Sequence, residues 1–241
     1  MIFFYNLAKN ISNLPLIKSI KHGYRRFKIK NRNKRFLRKG TDTLIYLDKI
    51  LKKNNITYSA VFGTLLGAIR EKGFIKHDLD IDLAVWYDEV GDSLKNILTT
   101  NGFEFHRRIE VDNGKFGREE TYYYKGISID FFYFYESNNA KNNNWPYTTV
   151  YVIFPGYDNN VIAIKEKGGM MPVQLYLPMS RRTHYIDFEY ITIPVIDNAL
   201  EFIEARYGKN WRIPDPTFVY PKMGDVLCDY RKDKLGIITK S

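Results

Sequence analysis

The chain of 241 residues has a globular share of hydrophobic residues (44%) and a high share of aromatic ones (16%), which together exclude a disordered protein. Its single cysteine, Cys228, excludes a disulfide framework and a zinc site built from several thiolates. No run of residues approaches the about 18 consecutive apolar positions that a membrane-spanning helix requires, so none is expected.

The net charge of +10 is concentrated at the N-terminus. Residues 1–41 contain 12 of the 37 basic residues and no acidic one, so the remainder of the chain has a net charge of −2. Bulky apolar residues such as Phe3, Phe4 and Leu16 lie among these basic residues. The pattern predicts a basic amphipathic helical arm over residues 1–40 that lies on an anionic membrane surface. An arm that packs on the rest of the protein is the alternative, and nucleic acid is not an expected partner.

From residue 41 to residue 241 the pattern predicts one α+β catalytic domain, in which helices flank a mixed β-sheet. Apolar residues at helical or alternating spacing define its elements. The predicted helices cover residues 42–54, 65–70, 88–100 and 197–207. The predicted strands cover residues 58–62, 79–86, 103–111, 119–135, 147–154 and 161–164. A turn at Gly63-Thr64, a polar loop at 138–144 and a proline-rich stretch of the last 30 residues, expected to wrap the surface, complete the prediction.

The predicted strand at 79–86 carries acidic residues at every second position. Because alternate residues of a strand share a face, the side chains of Asp78, Asp80 and Asp82 point the same way. A lone acid, Asp130, interrupts the apolar run of a later strand, where a buried carboxylate is costly without a cation or a donor. Carboxylates that crowd together in this way suit Mg²⁺ or Mn²⁺, and Asp80, Asp82 and Asp130 are the predicted metal ligands.

Three other interpretations of this segment are less favourable. An EF-hand loop would use Asp78, Asp80, Asp82 and Glu89, but its sixth position requires a glycine and is occupied by Leu83. A phosphate-binding P-loop would end in Gly-Lys-Ser/Thr, which is missing from this stretch. The acidic residues could also form the solvated face of an edge strand, which the spacing alone does not exclude.

Two ordered motifs resemble the LicD family of the nucleotidyltransferase superfamily. The first runs from Phe62-Gly-Thr-Leu-Leu-Gly-Ala-Ile-Arg70 through Gly73-Phe-Ile to Asp80-Ile-Asp82. The second comprises Asp187-Phe-Glu-Tyr-Ile-Thr-Ile-Pro194 and the following stretch to Trp211. The chain departs from the family pattern where Leu79 replaces a middle acid and Lys76-His77 replace Pro-Trp.

The resemblance implies a metal-dependent phosphotransferase with a nucleotidyltransferase-like sheet. Asp80, Asp82 and Asp130 would be catalytic, and Asp130 would be both a metal ligand and the candidate acceptor of the proton. Gly63 and Thr64 would contact the phosphates of the donor, and His77 would contact phosphate or position the acceptor. Arg70 would bind a phosphate, or it would form a salt bridge with Glu71 or Asp78.

The donor implied by the resemblance is a CDP-linked alcohol, with CDP-choline favoured. The acceptor would be a hydroxyl of a cell-surface glycan such as lipopolysaccharide, capsule or teichoic acid, in some cases lipid-linked. The expected location is the cytoplasmic face of the cell membrane, where the protein would be peripheral. The alternatives are a nucleotidyltransferase that acts on nucleic acid or a small molecule, and a catalytically silent glycan-binding protein. A choline group would need an aromatic cage, for which the candidates are Trp86, Tyr87, Tyr122, Tyr123, Tyr124, Trp145 and Tyr147.

Overall fold

The computed structural model describes residues 15–136, 147–153, 172–215 and 228–241. The predicted loop at 138–144 and the predicted strand at 161–164 lie outside these residues. The helices are α1 (Pro15–Lys53), α2 (Phe62–Glu71), α3 (Tyr87–Val90), α4 (Ser93–Thr100) and α5 (Ala199–Tyr207). The strands are β1 (Ser59–Ala60), β2 (Asp80–Trp86), β3 (Glu104–Val111), β4 (Gly117–Tyr124), β5 (Ile127–Glu136), β6 (Tyr147–Ile153), β7 (Pro172–Pro178), β8 (Thr183–Phe188), β9 (Ile191–Ile196), β10 (Cys228–Tyr230) and β11 (Gly236–Lys240).

Nine of these strands form one mixed sheet, in which the order of the main row is β10-β7-β6-β5-β4-β3-β11. The strand β2 pairs in parallel with β5 and antiparallel with the short β1, whereas β8 and β9 form a separate hairpin. The helices α1 and α2 both pack on β2, and α1 also packs on β5. The predicted α+β fold with a mixed sheet flanked by helices is confirmed.

The helix α1 runs without a break through residue 40, where the arm was predicted to end. Its C-terminal half is amphipathic, and Phe36, Leu44, Leu47 and Leu51 lie on the face that is buried in the core. Its described N-terminal half is exposed and basic from residue 27 onwards. The same helix therefore belongs to the core at one end and to the surface at the other. None of the helices in the described ranges is long and apolar enough to cross a membrane.

The single long strand predicted over residues 119–135 is wrong, because these residues form the hairpin of β4 and β5. The turn consists of Lys125 and Gly126, which have φ values of 49° and 79°. Two consecutive positive φ values are typical of the type I′ turn that joins twisted strands. Aromatic residues on both sides of the turn make the sequence look continuous, and Gly126 is the signal that would have divided it.

Three further predictions are corrected. The helix predicted over residues 88–100 is divided at Gly91, whose φ is 53°, into α3 and α4. Gly63 and Thr64 do not form a turn, since they lie in the first turn of α2. The last 30 residues do not only wrap the surface, because β10 and β11 form the two ends of the main row of strands.

Candidate active site

Two neighbouring strands bring the predicted acidic residues together. The parallel register of β2 and β5 places Asp82 directly opposite Asp130. Asp80 lies two residues before Asp82, so the three carboxylates leave the same face of the sheet. Ile81 and Leu83 point to the other face and are fully buried. The acidic residues of β2 therefore face a site beside the core, and β2 is not a solvated edge strand or an EF-hand loop.

The start of α2 holds the carboxylate of Asp82 from the side. The backbone N–H of Gly63 donates a hydrogen bond to Asp82 Oδ2 (3.0 Å), and the backbone N–H of Asp82 donates to the hydroxyl of Thr64 (2.9 Å). A Cβ atom on Gly63 would lie 3.0 Å from Asp82 Oδ2, so this close approach favours glycine. Thr64 is 1% exposed. Gly63 and Thr64 thus position Asp82, and their contacts with the phosphates of the donor stay a prediction.

A tight turn before β2 brings Asp78 to the same place. The backbone N–H of Asp78 donates to the carbonyl of Ile75 (2.9 Å), and Asp78 Oδ2 accepts a hydrogen bond from the backbone N–H of Ile75 (3.3 Å). Both carboxylate oxygens of Asp78 lie 3.8 Å from the position that a Cβ on Gly63 would take. Asp78 therefore borders the group formed by Asp80, Asp82 and Asp130.

Burial raises the pKa of each of these four carboxyl groups, and repulsion by neighbouring carboxylates adds to the effect at Asp78, Asp82 and Asp130. Burial, followed by the charges of Asp80, Asp130 and Asp78, raises the pKa of Asp82 well above its usual value. Burial and the charge of Asp80 raise the pKa of Asp130 to about 6 and that of Asp78 to about 7. Burial also raises the pKa of Asp80, against the opposing effect of Arg32. A bound cation would favour the ionised form of all four groups.

The residues fit a divalent metal ion. The Oδ1 atom of Asp130 is buried and has no hydrogen-bond partner in the described part of the chain, and the hydroxyl of Thr121 hydrogen-bonds to the same carboxylate. Carboxylate oxygens are the ligands that Mg²⁺ and Mn²⁺ prefer. Within the described ranges, no three acidic, histidine or cysteine side chains are already arranged around a metal position. The carboxylates would therefore have to turn towards one another around an ion.

Sequence reasoning missed a further acidic residue in this region. Glu119 on β4 is buried, and burial together with the charge of Asp130 raises its pKa to about 8. Its carboxylate accepts a hydrogen bond from Arg107 Nη2 (3.0 Å), and Arg107 Nε donates to the hydroxyl of Thr121 (3.1 Å). Arg107 also lowers the pKa of Asp80 and Asp130. We refer to Asp78, Asp80, Asp82, Asp130 and Glu119 as the carboxylate cluster.

Two further residues were predicted to bind substrate, namely Arg70, whose charge lowers the pKa of Asp78, and His77. Arg70 forms a salt bridge with Glu71 (Nε to Oε1, 2.9 Å) and donates from Nη1 to the carbonyl of Trp211 (3.2 Å). The predicted alternative, a salt bridge to Glu71, is therefore the arrangement found. His77 is exposed in the segment before β2 and forms no hydrogen bond or ion pair with the residues that the structure describes.

The basic helix α1 holds the segment that leads into β2, which the sequence did not indicate. Asn33 Nδ2 donates to the carbonyls of Lys76 (2.8 Å) and Asp78 (2.9 Å), and Arg32 Nη2 donates to the carbonyl of Leu79 (3.2 Å). One turn further along α1, Phe36 packs edge-on against Phe74, with ring centroids 4.6 Å apart. These contacts fix the backbone from which Asp78 and Asp80 project.

Comparison with known proteins gives one family. The family model described as LicD/FKTN/FKRP, nucleotidyltransferase domain, matches residues 55–184, more than half of the chain. The matched region contains α2, the turn before β2, β2, β4 and β5, and hence every member of the carboxylate cluster. No curated protein shows a significant match to the chain.

Proposed function

This chain belongs to the LicD family, a family of transferases of phosphorylated groups, and from that premise we propose a specific reaction. The proposed enzyme moves a phospho-alcohol group, with phosphocholine favoured, from a CDP-linked donor to a hydroxyl of a cell-surface glycan. CMP is the leaving group. The reaction forms a bond between the acceptor oxygen and the distal phosphorus and breaks the bond between that phosphorus and the bridging oxygen of CDP.

One observation supports the proposal above all others, namely that Asp80, Asp82 and Asp130 lie half-buried together without sufficient countercharge. These three residues would hold Mg²⁺ or Mn²⁺. When bound, such an ion neutralises phosphate oxygens and helps to align the donor with the attacking hydroxyl, which is what phosphoryl transfer chiefly requires.

The remaining residues of the site orient these groups. Gly63 and Thr64 hold Asp82 in place, and Thr121 hydrogen-bonds to Asp130. The buried Oδ1 atom of Asp130 has no hydrogen-bond partner in the described part of the chain, so it is available to accept a proton. We assign Asp130 as the acceptor of the proton from the glycan hydroxyl. Arg107, at the edge of the carboxylate cluster, provides positive charge next to the phosphates.

The identity of the alcohol depends on which aromatic residues are available for a cage. Trp86 is buried beneath Arg181, whose guanidinium carbon lies 4.0 Å from the ring centroid. Tyr122 is fully buried and donates its hydroxyl hydrogen to Glu120. Neither residue is suitable for a choline cage, which leaves Tyr87, Tyr123 and Tyr124 of the candidates with described side chains. Trp145 lies outside the described residues.

The proposal places the protein on the cytoplasmic face of the membrane, where soluble donors meet lipid-linked acceptors. Basic residues near an anionic leaflet contribute about 1 kcal/mol each. Because Arg32, Asn33 and Phe36 contact the segment before β2, deleting residues 1–40 would disturb the site as well as the arm. Deleting residues 1–26 spares these contacts. This deletion should reduce binding to phosphatidylglycerol vesicles without reducing turnover of a soluble acceptor analogue, whereas unchanged vesicle binding would contradict a membrane role for these residues.

A donor screen tests the reaction directly. The full-length protein is incubated with Mg²⁺, a mixture of cell-surface glycans as acceptors, and CDP-choline, CDP-ethanolamine, CDP-glycerol, CDP-ribitol or nucleoside triphosphates, and release of free nucleotide is measured. We expect CMP from a CDP-alcohol, with CDP-choline the best donor, and none in EDTA or from the Asp82→Asn variant. Release of pyrophosphate from nucleoside triphosphates would instead support a nucleotidyltransferase. Turnover of no donor would contradict the proposal.

A further inference from the structure

A second feature lies beside the carboxylate cluster, between α1 and the turn of the β4–β5 hairpin. A groove of about 560 Å³ opens there. We call it the basic groove, and its main lining residues are Phe27, Lys28, Arg32, Arg35, Tyr123 and Gly126. No acidic residue lines it. The groove therefore combines positive charge with two aromatic rings.

The cations of the basic groove are available to a ligand. Neither Lys28 nor Arg35 forms an ion pair within the described part of the chain, and both are exposed. Arg35 lies across the hairpin turn, since a Cβ atom on Gly126 would lie 2.6 Å from Arg35 Nη1. The glycine thus leaves room for the guanidinium group at the floor of the groove. A guanidinium in such a position can bind phosphate oxygens through two hydrogen bonds.

Arg32 connects the basic groove to the carboxylate cluster. Its side chain lines the groove, donates to the carbonyl of Leu79 and acts electrostatically on Asp80 and Asp130. Gly126 and Asp130 are four residues apart along the hairpin, about 13 Å at the usual rise of a strand. A phosphorylated molecule could therefore occupy the groove while its reacting end lies at the carboxylates.

We propose that the basic groove is a subsite for a phosphate or diphosphate group carried by a substrate of the carboxylate cluster. The identity of that substrate rests on the proposed function, whereas the binding of the phosphate group does not. Two sources share this chemistry, the nucleotide of the donor and the diphosphate of a lipid-linked acceptor.

A neighbouring surface of α1 provides a matched control. A second depression, lined by Lys30, Lys34 and Arg38 among others, is formed by residues of α1 alone. It has a similar charge but no second element to define a binding position. Removing a charge from Arg38 therefore changes the net charge of the helix without changing the basic groove.

The experiment measures binding of inorganic pyrophosphate to the full-length protein by calorimetry in EDTA, so that no divalent ion can recruit phosphate to the carboxylates. We expect Arg35→Gln to weaken binding about tenfold, the usual size for loss of a charge-assisted hydrogen bond, and Arg38→Gln to weaken it less than about twofold. Equal effects of the two variants would overturn the proposal, because they would show a general attraction to a basic helix. No measurable binding by the wild type would overturn it as well.

Further measurements distinguish the two sources of the phosphate group, and they distinguish failure of the subsite from failure of the proposed function. If the protein binds CDP more tightly than pyrophosphate, with the same dependence on Arg35, the subsite belongs to the donor. If it binds CDP and pyrophosphate equally tightly, the subsite belongs to the acceptor. The protein could instead bind phosphatidylglycerol vesicles in a way that depends on Arg35 and yet not bind pyrophosphate. This result would indicate that the groove binds a membrane surface, and it would overturn the proposed subsite. Because the calorimetry is done in EDTA and needs no turnover, a donor screen in which no donor reacts would not affect this binding test.

Discussion

The strand β4 carries two neighbouring buried glutamates that point to opposite faces of the sheet and differ in how their charge is compensated. Glu120 is fully buried and accepts hydrogen bonds from Arg108 Nε (2.6 Å), Tyr122 (2.6 Å) and Tyr133 (2.9 Å). Its neighbour Glu119 shares Arg107 with the aspartates of the carboxylate cluster. The negative charge on the Glu120 face of the strand is thus compensated by its partners, whereas the negative charge on the Glu119 face is not.

The satisfied face extends through a second arginine. Arg118, only 1% exposed, forms two hydrogen bonds with Glu110 Oε2 (3.1 and 2.8 Å) and one with Asp92 Oδ1 (2.7 Å). We call Glu120, Arg108, Arg118, Glu110 and Asp92 the paired network. Removing one partner of a buried ion pair is strongly destabilising, because the other charge is left uncompensated. Carboxylates that repel one another instead cluster at functional sites, where a ligand neutralises them. The comparison therefore separates structural acids from functional ones.

The largest expected effect is the loss of activity when one carboxylate of the cluster is neutralised. Asp82→Asn removes a predicted metal ligand but keeps the shape of the side chain and an oxygen that can accept from Gly63 N–H. We expect transfer to fall by about 10³-fold or more, since bound metal contributes several kcal/mol to transition-state stabilisation. Steady-state release of CMP measures this loss. Full activity of the variant in Mg²⁺ would show that Asp82 is not a catalytic residue.

Glu120→Gln makes the same chemical change in the paired network and should have the opposite consequence. It removes the shortest ion pair of Arg108 (2.6 Å) and leaves only the longer ones to Asp92 (3.5 Å) and Glu110 (4.0 Å). Breaking a buried ion pair costs about 3–5 kcal/mol. We expect the free energy of unfolding, measured in urea, to fall by about 3 kcal/mol, whereas Asp82→Asn should not lower it. If both variants destabilise the protein equally, the distinction between the two faces is wrong.

The pH dependence of stability sharpens the comparison. The carboxylate cluster has raised pKa values in the folded protein, such as about 6 for Asp130 and about 7 for Asp78, so the folded state binds more protons than the unfolded one. In EDTA, stability is therefore lost as the pH rises from about 4 through these values. We expect the wild-type Tm to fall by a few degrees between about pH 5 and 8, at about 2–4 °C per kcal/mol, and to fall less in Asp82→Asn.

Addition of Mg²⁺ at about pH 8 should recover the lost stability, because an ion that binds only the folded state stabilises it. Differential scanning fluorimetry with and without EDTA gives both results. A wild-type Tm that is independent of both pH and Mg²⁺ would show that the carboxylates are already neutralised by other groups.

The smallest expected effect concerns the contact of α1 with the segment before β2. Asn33→Ala removes the donor to the carbonyls of Lys76 and Asp78, and two hydrogen bonds of about 1 kcal/mol each fix this backbone. We expect kcat to fall about tenfold with little change in KM for the donor. Lys34→Ala, at an exposed neighbouring position, is the control and should retain activity. An effect of Asn33→Ala on Tm alone would indicate a purely structural contact.

The main features of the site could be predicted because they depend on local periodicity. Alternate positions of a strand share a face whatever surrounds them, so Asp80 and Asp82 could be grouped from the sequence. Asp130 could be added because it is a lone acid in an apolar strand. Glu119 could not be recognised, since it lies in the run Arg118-Glu119-Glu120, where adjacent charges alternate between two buried faces and resemble a solvated strand. Its burial depends on partners from β3 that are distant in the sequence.

Other contacts of the site could not be predicted for the same reason. The role of Thr64 as a hydrogen-bond acceptor for Asp82, and that of Asn33 as a donor to the segment before β2, arise only when remote segments meet. The mixed sheet was predictable from its strands, but its ends were not, because the short β10 and β11 are strands only through pairing with β7 and β3. Local sequence patterns thus predict the aspartates of the site, whereas the residues that surround them depend on tertiary contacts.

Because α1 is unbroken, it fixes the distance between its N-terminal end and the carboxylate cluster. The helix begins at Pro15, and from there to Arg32 it rises about 26 Å at about 1.5 Å per residue. Anything that the far end of this rod touches is held at a set distance from the carboxylates. The rod also sets orientation, because each residue inserted or removed would turn one end by about 100° against the other. The length and phase of this helix are therefore as much a part of the enzyme's geometry as the residues at its centre.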